Sequence, residues 1–130
     1  MLFRFRSVAR LASAIALMLG VWLSAHGLAG AAELVVFRSD GCAWCKVWDR
    51  DIGQSYEKTP EGRRLPIRYV DIDKPRPADL LAVANVRYTP TFVVFDGGHE
   101  IGRIVGYPGP DFFWGYLGEL IQRLDTRKAL

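Results

Sequence analysis

Three short apolar runs, rich in β-branched and aromatic residues, follow one another along the chain after residue 32. They span residues 33–37, 67–72 and 91–95, and runs of this length and composition are typical of buried strands. A Gly-Gly pair at 97–98 leads from the third run into residues 100–105, which predicts a β-hairpin. The pattern therefore predicts four strands, of which the last two are antiparallel neighbours.

Helical patterns follow the first strand. Residues 42–52 predict a helix that Gly53 interrupts. The segment Thr59-Pro60-Glu61 combines an N-cap residue with proline at the first helical position, which predicts a short helical turn. We expect the first helix to pack on the sheet through an apolar face formed by Val47, Trp48 and Ile52.

Two further helices are predicted in the second half of the chain. The sequence Lys-Pro-Arg-Pro at 74–77 breaks the chain, and residues 78–84 then predict a helix that ends at Asn85. An amphipathic pattern begins after Pro110, which predicts a closing helix. Its apolar stripe contains Phe113, Leu117, Leu120, Ile121 and Leu124.

The order of these elements, β-α-β-α-β-β-α, predicts the fold class. Alternating strands and helices are typical of an α/β domain with helices on both faces of the sheet. We interpret the first three strands as two parallel βαβ crossovers and the last two as a hairpin. The expected architecture is a four-stranded mixed sheet.

The chain begins with a basic segment and an apolar stretch at residues 11–23. Small residues then lead to Ala29-Gly30-Ala31, which fits the cleavage pattern of a secretory signal peptide. The apolar stretch is too short for a helix to cross the roughly 30 Å hydrocarbon core of a membrane. We predict a signal peptide over residues 1–31 and one domain over residues 32–130. An uncleaved anchor is the alternative, because residues 11–32 carry no charge; in both cases the domain is exported.

Composition and charge exclude several classes of protein. The chain of 130 residues is 50% hydrophobic and 24% charged, which is ordinary for one globular domain. It carries 17 Lys and Arg against 14 Asp and Glu, and the excess of three lies in the leader, at Arg4, Arg6 and Arg10. The exported domain is therefore neutral, and we expect no nucleic-acid partner.

Cys42 and Cys45 are the only cysteines, and they follow a strand at the start of a predicted helix. Backbone N–H groups and the helix dipole favour an anionic sulfur there, so the first cysteine is expected to be a nucleophilic thiolate. Arg38 and Lys46 are close enough in sequence to add positive charge. In this interpretation Cys42 attacks a disulfide, and Cys45 resolves the mixed disulfide by attacking Cys42.

The cysteine pair is also compatible with a structural disulfide, a zinc site or two inert buried thiols. A structural disulfide closing so short a loop contributes only about 2 kcal/mol by the chain-entropy formula. A structural zinc site normally needs four ligands, and His99 is the only exported histidine that would join the two cysteines. Trp44 and the loop position disfavour two inert buried thiols. A C-x-x-C motif beside a βαβ pattern favours dithiol–disulfide exchange.

The sequence also resembles a known superfamily. A strand, Cys-Ala-Trp-Cys at a helix start, Thr89-Pro90 before a strand, a glycine hairpin and a final helix together resemble the thioredoxin superfamily over residues 34–124. The resemblance implies a minimal thioredoxin fold in which Pro90 is cis and lies beside the disulfide. It also implies that Tyr88 and Thr89 line a groove for the substrate. Trp44 is interpreted either as an exposed platform for a partner or as a ring folded onto its helix.

Several segments are more similar to the small periplasmic thioredoxins of bacterial sulfur-oxidation systems. These segments are VVFRSDGCAWCKVWDRDIG, TPEGRR, VDIDKPRP and GYPGPDFFWGYL. The resemblance implies a periplasmic protein that reduces disulfides on a sulfur-carrier protein and receives electrons from a membrane thiol carrier. We expect a monomer with no metal and no cofactor beyond the Cys42–Cys45 pair. An oxidant or isomerase of the same fold and a non-catalytic binding module are the alternatives.

The sequence departs from thioredoxin itself at three points. It lacks an extra strand and helix before Glu33, so the core has a size typical of glutaredoxins. The pair between the cysteines is Ala-Trp instead of Gly-Pro. Val36 and Tyr69 stand where the resemblance places a buried acid and its companion lysine. The proton acceptor for Cys45 is therefore unassigned, and Asp40 is interpreted as a turn residue.

Overall fold

The computed structural model describes residues 30–130, so most of the predicted signal peptide, residues 1–29, lies outside the described residues. The strands are β1 (Glu33–Arg38), β2 (Ile67–Asp71), β3 (Thr91–Asp96) and β4 (His99–Val105). They form one sheet with the order β2-β1-β3-β4. β1 and β2 are parallel, whereas β3 is antiparallel to both β1 and β4. The predicted α/β class and the four-stranded mixed sheet are confirmed.

Short helical segments alternate with these strands. The predicted first helix consists of α1 (Ala43–Trp48), which continues directly into a π-helical turn, Asp49–Gly53. A 3₁₀ turn, Tyr56–Lys58, precedes α2 (Pro60–Arg64), and Thr59 caps α2 by accepting the Gly62 N–H at 3.0 Å. The closing helix is α3 (Pro110–Lys128).

One face of the sheet packs against α1, its π-helical continuation and α3. Trp48 lies at the centre of this core, and its ring contacts those of Tyr56, Phe92 and Phe113. The predicted stripe of α3 is buried there, apart from Ile121, which is partly buried. Sheet residues of this core alternate along their strands, as the period of a strand requires; they include Leu34, Val36, Phe92 and Val94.

The opposite face of the sheet is covered by a short irregular segment instead of the helix predicted at 78–84. Only Ala78–Leu80 is helical, and it forms a 3₁₀ turn. Leu80 N–H donates to the Pro77 carbonyl and Val83 N–H to the Leu80 carbonyl, both over three residues. Side chains three residues apart share one side of a 3₁₀ turn. Leu80 and Val83 are therefore both buried against the sheet.

The prediction of a second parallel crossover is wrong, because β3 runs antiparallel to β1. Arg38 pairs with Asp71 at the end of β2, and Phe37 pairs with Thr91 at the start of β3. The connection from β2 to β3 thus begins and ends at the same end of the sheet. It does not have to return along the full length of a strand, so a full-length helix is not required.

Candidate redox site

The two cysteines lie at the end of the sheet where β1 leads into α1. They form a disulfide with a Cα–Cα distance of 5.2 Å. Cys42 is the N-cap of α1, and its Sγ accepts a hydrogen bond from the Cys45 N–H at 3.0 Å. Cys42 is 8% exposed and Cys45 is 2% exposed, so the loop position leaves only a small accessible edge, on Cys42. Cys42 is therefore the more accessible of the two cysteines.

The disulfide bears on the alternatives for the cysteine pair. Both sulfurs are bonded, which does not fit a pair of free, inert thiols. Over residues 30–130, no three His, Cys, Asp or Glu side chains lie close enough together to hold a metal ion.

The charge of Arg38 is paired with the carboxylate that follows α1. Its guanidinium donates to both carboxylate oxygens of Asp49, at 3.1 and 2.8 Å, and lies 5.2 Å from the centre of the Tyr69 ring. The hydrogen bond from Arg38 to Asp49 raises the pKa of the guanidinium, which stays charged. The expectation that Arg38 adds positive charge beside Cys42 is therefore replaced by a balanced ion pair at the end of α1.

The Thr89–Pro90 peptide bond is cis, the isomer that the resemblance implies. Thr89 Oγ1 lies 3.4 Å from Ser39 Oγ, and the Ser39 carbonyl accepts the Cys42 N–H at 3.2 Å. These contacts bring the residue before the proline against the loop that leads to the cysteines. Pro90 itself is buried at the start of β3.

Two predicted groove residues present large exposed rings. Trp44 is 61% exposed and Tyr88 is 69% exposed. The exposure of the Trp44 ring favours the interpretation as a platform over that of a ring folded onto the helix. Thr89, which contacts the loop before the cysteines, is half-buried. The structure places these side chains on segments that adjoin the disulfide loop and the proline.

The positions that the resemblance assigns to a buried acid and a lysine carry no such pair. Val36 and Tyr69 are direct partners in the β1–β2 register, and Val36 is fully buried. Burial raises the pKa of the Tyr69 hydroxyl. Asp40 is exposed. The sequence patterns did not single out Asp49. Asp49 follows Cys45 by four residues, and this spacing places the two residues on one helical face.

The turn after β4 borders the proline. Gly106, with φ +78°, donates its N–H to the Pro90 carbonyl at 2.8 Å. Tyr107 is buried and donates its hydroxyl to Asp51 Oδ2 at 3.2 Å. Burial, together with the charge of Asp51, raises the pKa of Tyr107 to about 12. The Gly106–Pro90 hydrogen bond extends the β3–β4 pairing by one residue and places the turn next to Pro90.

A mixed sheet with a C-x-x-C disulfide at the start of α1, whose loop contacts the residue before a cis proline, is the arrangement of a thiol–disulfide oxidoreductase. A family model described as a thioredoxin-like domain matches residues 28–121. The chain belongs to this thioredoxin-like family. No curated protein sequence matches the chain.

Solved structures show the same relationship. The periplasmic thioredoxin SoxS from Paracoccus pantotrophus, in its reduced form, is 41% identical, with a TM-score of 0.68 over 72% of this chain and 98% of that protein. A thioredoxin from Malassezia sympodialis is 27% identical, with a TM-score of 0.52 over 68% and 74% of the two chains. Trxlp from Edwardsiella tarda is 26% identical, with a TM-score of 0.55 over 68% and 82%. The likeness to SoxS supports the resemblance to small periplasmic thioredoxins.

Proposed function

We propose that the protein is a periplasmic thioredoxin that reduces disulfides on a partner protein, such as the carrier protein of a sulfur-oxidation system. The observation that carries the proposal is the Cys42–Cys45 disulfide at a helix N-terminus, preceded by a loop in which Ser39 contacts Thr89 of the cis Thr89–Pro90 pair. The 41% identity to the periplasmic thioredoxin SoxS supports the proposed compartment.

In the proposed reaction Cys42 is the nucleophile and Cys45 the resolving thiol. The Cys42 thiolate attacks one sulfur of the partner disulfide, and the other partner sulfur leaves as a thiolate that takes up a proton. Cys45 then loses its proton and attacks Cys42 Sγ, which forms the Cys42–Cys45 disulfide and releases the second partner thiol. Two electrons pass to the partner, and a membrane thiol carrier restores the dithiol. The greater exposure of Cys42 supports this assignment of roles.

The substrate groove in this proposal is formed by Trp44, Tyr88, Thr89 and Pro90. The exposed rings of Trp44 and Tyr88 offer apolar area with little side-chain entropy to lose on binding. Thr89 contacts the cysteine loop through Ser39, and an extended peptide of the partner would lie along Thr89, next to the buried Pro90. The protein acts as a monomer, and no bound cofactor is needed beyond the cysteine pair.

The proposed location depends on the leader. We infer that residues 1–31 direct export and are removed, which leaves a domain over residues 32–130. Across residues 30–130, no helix has the length and apolarity needed to cross a membrane. Sequencing the N-terminus of the protein purified from periplasm tests the cleavage: a start at Ala32 is expected, whereas a retained leader would support the anchored form.

The direction of electron flow is tested by the reduction potential of the purified couple. A reductase is expected near the thioredoxin value of about −270 mV, whereas a value near about −120 mV would identify an oxidant. Catalysis itself is tested with Cys45→Ser, which is expected to trap partners through Cys42, with Cys42→Ser as the matched control that traps none. Retention of the same partners by the double variant would instead identify a binding module.

A further inference from the structure

Tyr107 links the helical segment that contains Cys45 to the turn that contacts Pro90. Its ring is buried against Phe113, at a distance of 6.3 Å between ring centres. Its hydroxyl reaches Asp51 in the π-helical turn that continues α1. α1 begins directly after Cys42 and contains Cys45. The hydroxyl therefore connects the turn after β4 to the helix that holds the disulfide.

The neighbouring residue connects the same turn to the proline. Gly106 donates its N–H to the Pro90 carbonyl at 2.8 Å, and its φ of +78° is a conformation that favours glycine. Because Gly106 and Tyr107 are adjacent, the position of one constrains that of the other. A continuous path then runs from Asp51 through Tyr107 and Gly106 to Pro90.

We propose that Tyr107 is a positioning residue. Through its hydrogen bond to Asp51 it fixes the distance between α1, which holds the disulfide, and the Thr89–Pro90 segment on the other side of the groove. The inference rests on the proposed function, because it concerns partner peptides that contact both the disulfide and the Thr89–Pro90 segment. A protein disulfide must contact the sulfur and the proline segment at once. A small dithiol needs only the sulfurs.

This difference predicts a dependence on substrate size. Tyr107→Phe removes one hydroxyl and keeps the buried ring, and Asp51 keeps its ion pair with Arg50 at 3.0 Å. The substitution therefore leaves no isolated buried charge. We expect the rate constant for reduction of insulin disulfides to fall about fivefold, a change typical of one lost hydrogen bond. The rate of disulfide exchange with dithiothreitol is expected to stay at the wild-type value.

The experiment compares the wild-type exported protein with Tyr107→Phe, Asp51→Ala and Tyr116→Phe. Tyr116 is the matched control, because it is an exposed tyrosine of α3. The double variant at Tyr107 and Asp51 is expected to lose no more activity than either single variant, since both remove the same link. Equal losses with insulin and dithiothreitol, or no loss with either, would overturn the proposal.

A second measurement separates this inference from the proposed function. Hydrogen exchange of the Gly106 amide reports directly on its bond to the Pro90 carbonyl. We expect Tyr107→Phe to accelerate this exchange severalfold and Tyr116→Phe to leave it unchanged. If the wild-type protein does not reduce insulin, the proposed function fails while an accelerated exchange still supports the positioning role. Unchanged exchange in Tyr107→Phe would overturn the positioning role whatever the activity.

Discussion

The Arg38 guanidinium and the Asp49 carboxylate face each other through two hydrogen bonds, at 3.1 and 2.8 Å. Arg38 is the last residue of β1, and Asp49 directly follows α1. The pair therefore ties together the two ends of the segment that contains both cysteines. The Tyr69 ring, 5.2 Å from the guanidinium, covers the pair on the side of the β2 strand.

We predict a measurable but modest coupling between Arg38 and Asp49. Both side chains are about one-third exposed, so solvent and salt weaken the ion pair. A double-mutant cycle with Arg38→Met and Asp49→Asn, followed by urea unfolding, is expected to give about 0.5 to 1 kcal/mol. The coupling is expected to decrease in 1 M salt. A coupling energy of zero at low salt would contradict the structural role given to the pair.

Few side chains cover the second face of the sheet, so two neighbouring leucines are predicted to differ strongly in their effect on stability. Leu80 is fully buried against this face, whereas Leu81 is 68% exposed. Leu80→Ala is expected to lower the free energy of unfolding by about 2 to 5 kcal/mol. Leu81→Ala changes it by less than about 0.5 kcal/mol. Urea unfolding of both variants checks this, and equal effects would show that the 3₁₀ segment does not hold this face together.

The sequence predicted this leucine segment as a helix, and the reason for the difference is tertiary. The apolar residues at 80 and 83 fit both a helix and a 3₁₀ turn, because a spacing of three occurs in each. Whether the segment forms an α-helix or a 3₁₀ turn depends on where β3 begins. The direction of β3 in the sheet cannot be inferred from the local pattern of one sequence. The strands themselves, the cysteine helix and the capped turn at Thr59 follow from local patterns, and these predictions agree with the structure.

The same distinction applies to the site. The placement of Cys42 and Cys45 at a helix start follows from their spacing and the preceding strand. The contact between Tyr107 and Asp51 joins residues 56 positions apart, and the direction of the Arg38 side chain depends on the helix that it meets. Contacts of this kind need the assembled sheet, so the sequence indicated the residues of the redox pair but not those that position it.

Gly62 and Gly115 are predicted to respond in opposite ways to the same substitution. A Cβ on Gly62 would lie 2.0 Å from the carbonyl oxygen of Tyr56, whereas a Cβ on Gly115 in α3 meets nothing within 4 Å. Gly62→Ala is expected to cost about 1 to 3 kcal/mol, since backbone has to shift. Gly115→Ala is expected to gain about 0.5 to 1 kcal/mol from helix propensity. Thermal unfolding measures both; a Gly62→Ala protein as stable as the wild type would refute the close approach at Tyr56.

Alkaline pH is predicted to destabilise the protein through its buried tyrosines. Burial raises the pKa of Tyr56 and, together with Asp51, raises that of Tyr107 to about 12, from 10.0. Between pH 10 and the raised pKa of each tyrosine, the unfolded state has lost the tyrosine proton while the folded state keeps it. The folded state therefore binds more protons in this range.

The free energy of unfolding is therefore constant with respect to these groups below about pH 10 and falls above it, by about 1.4 kcal/mol per pH unit for each tyrosine. Urea unfolding from pH 9 to pH 11.5 measures this slope in the wild-type protein and in Tyr56→Phe. The variant loses the hydrogen bond to the Leu65 carbonyl, so it starts less stable, but its slope is expected to be shallower. Parallel slopes in the two proteins would mean that Tyr56 ionises as readily in the folded state as in the unfolded one, which its complete burial should prevent.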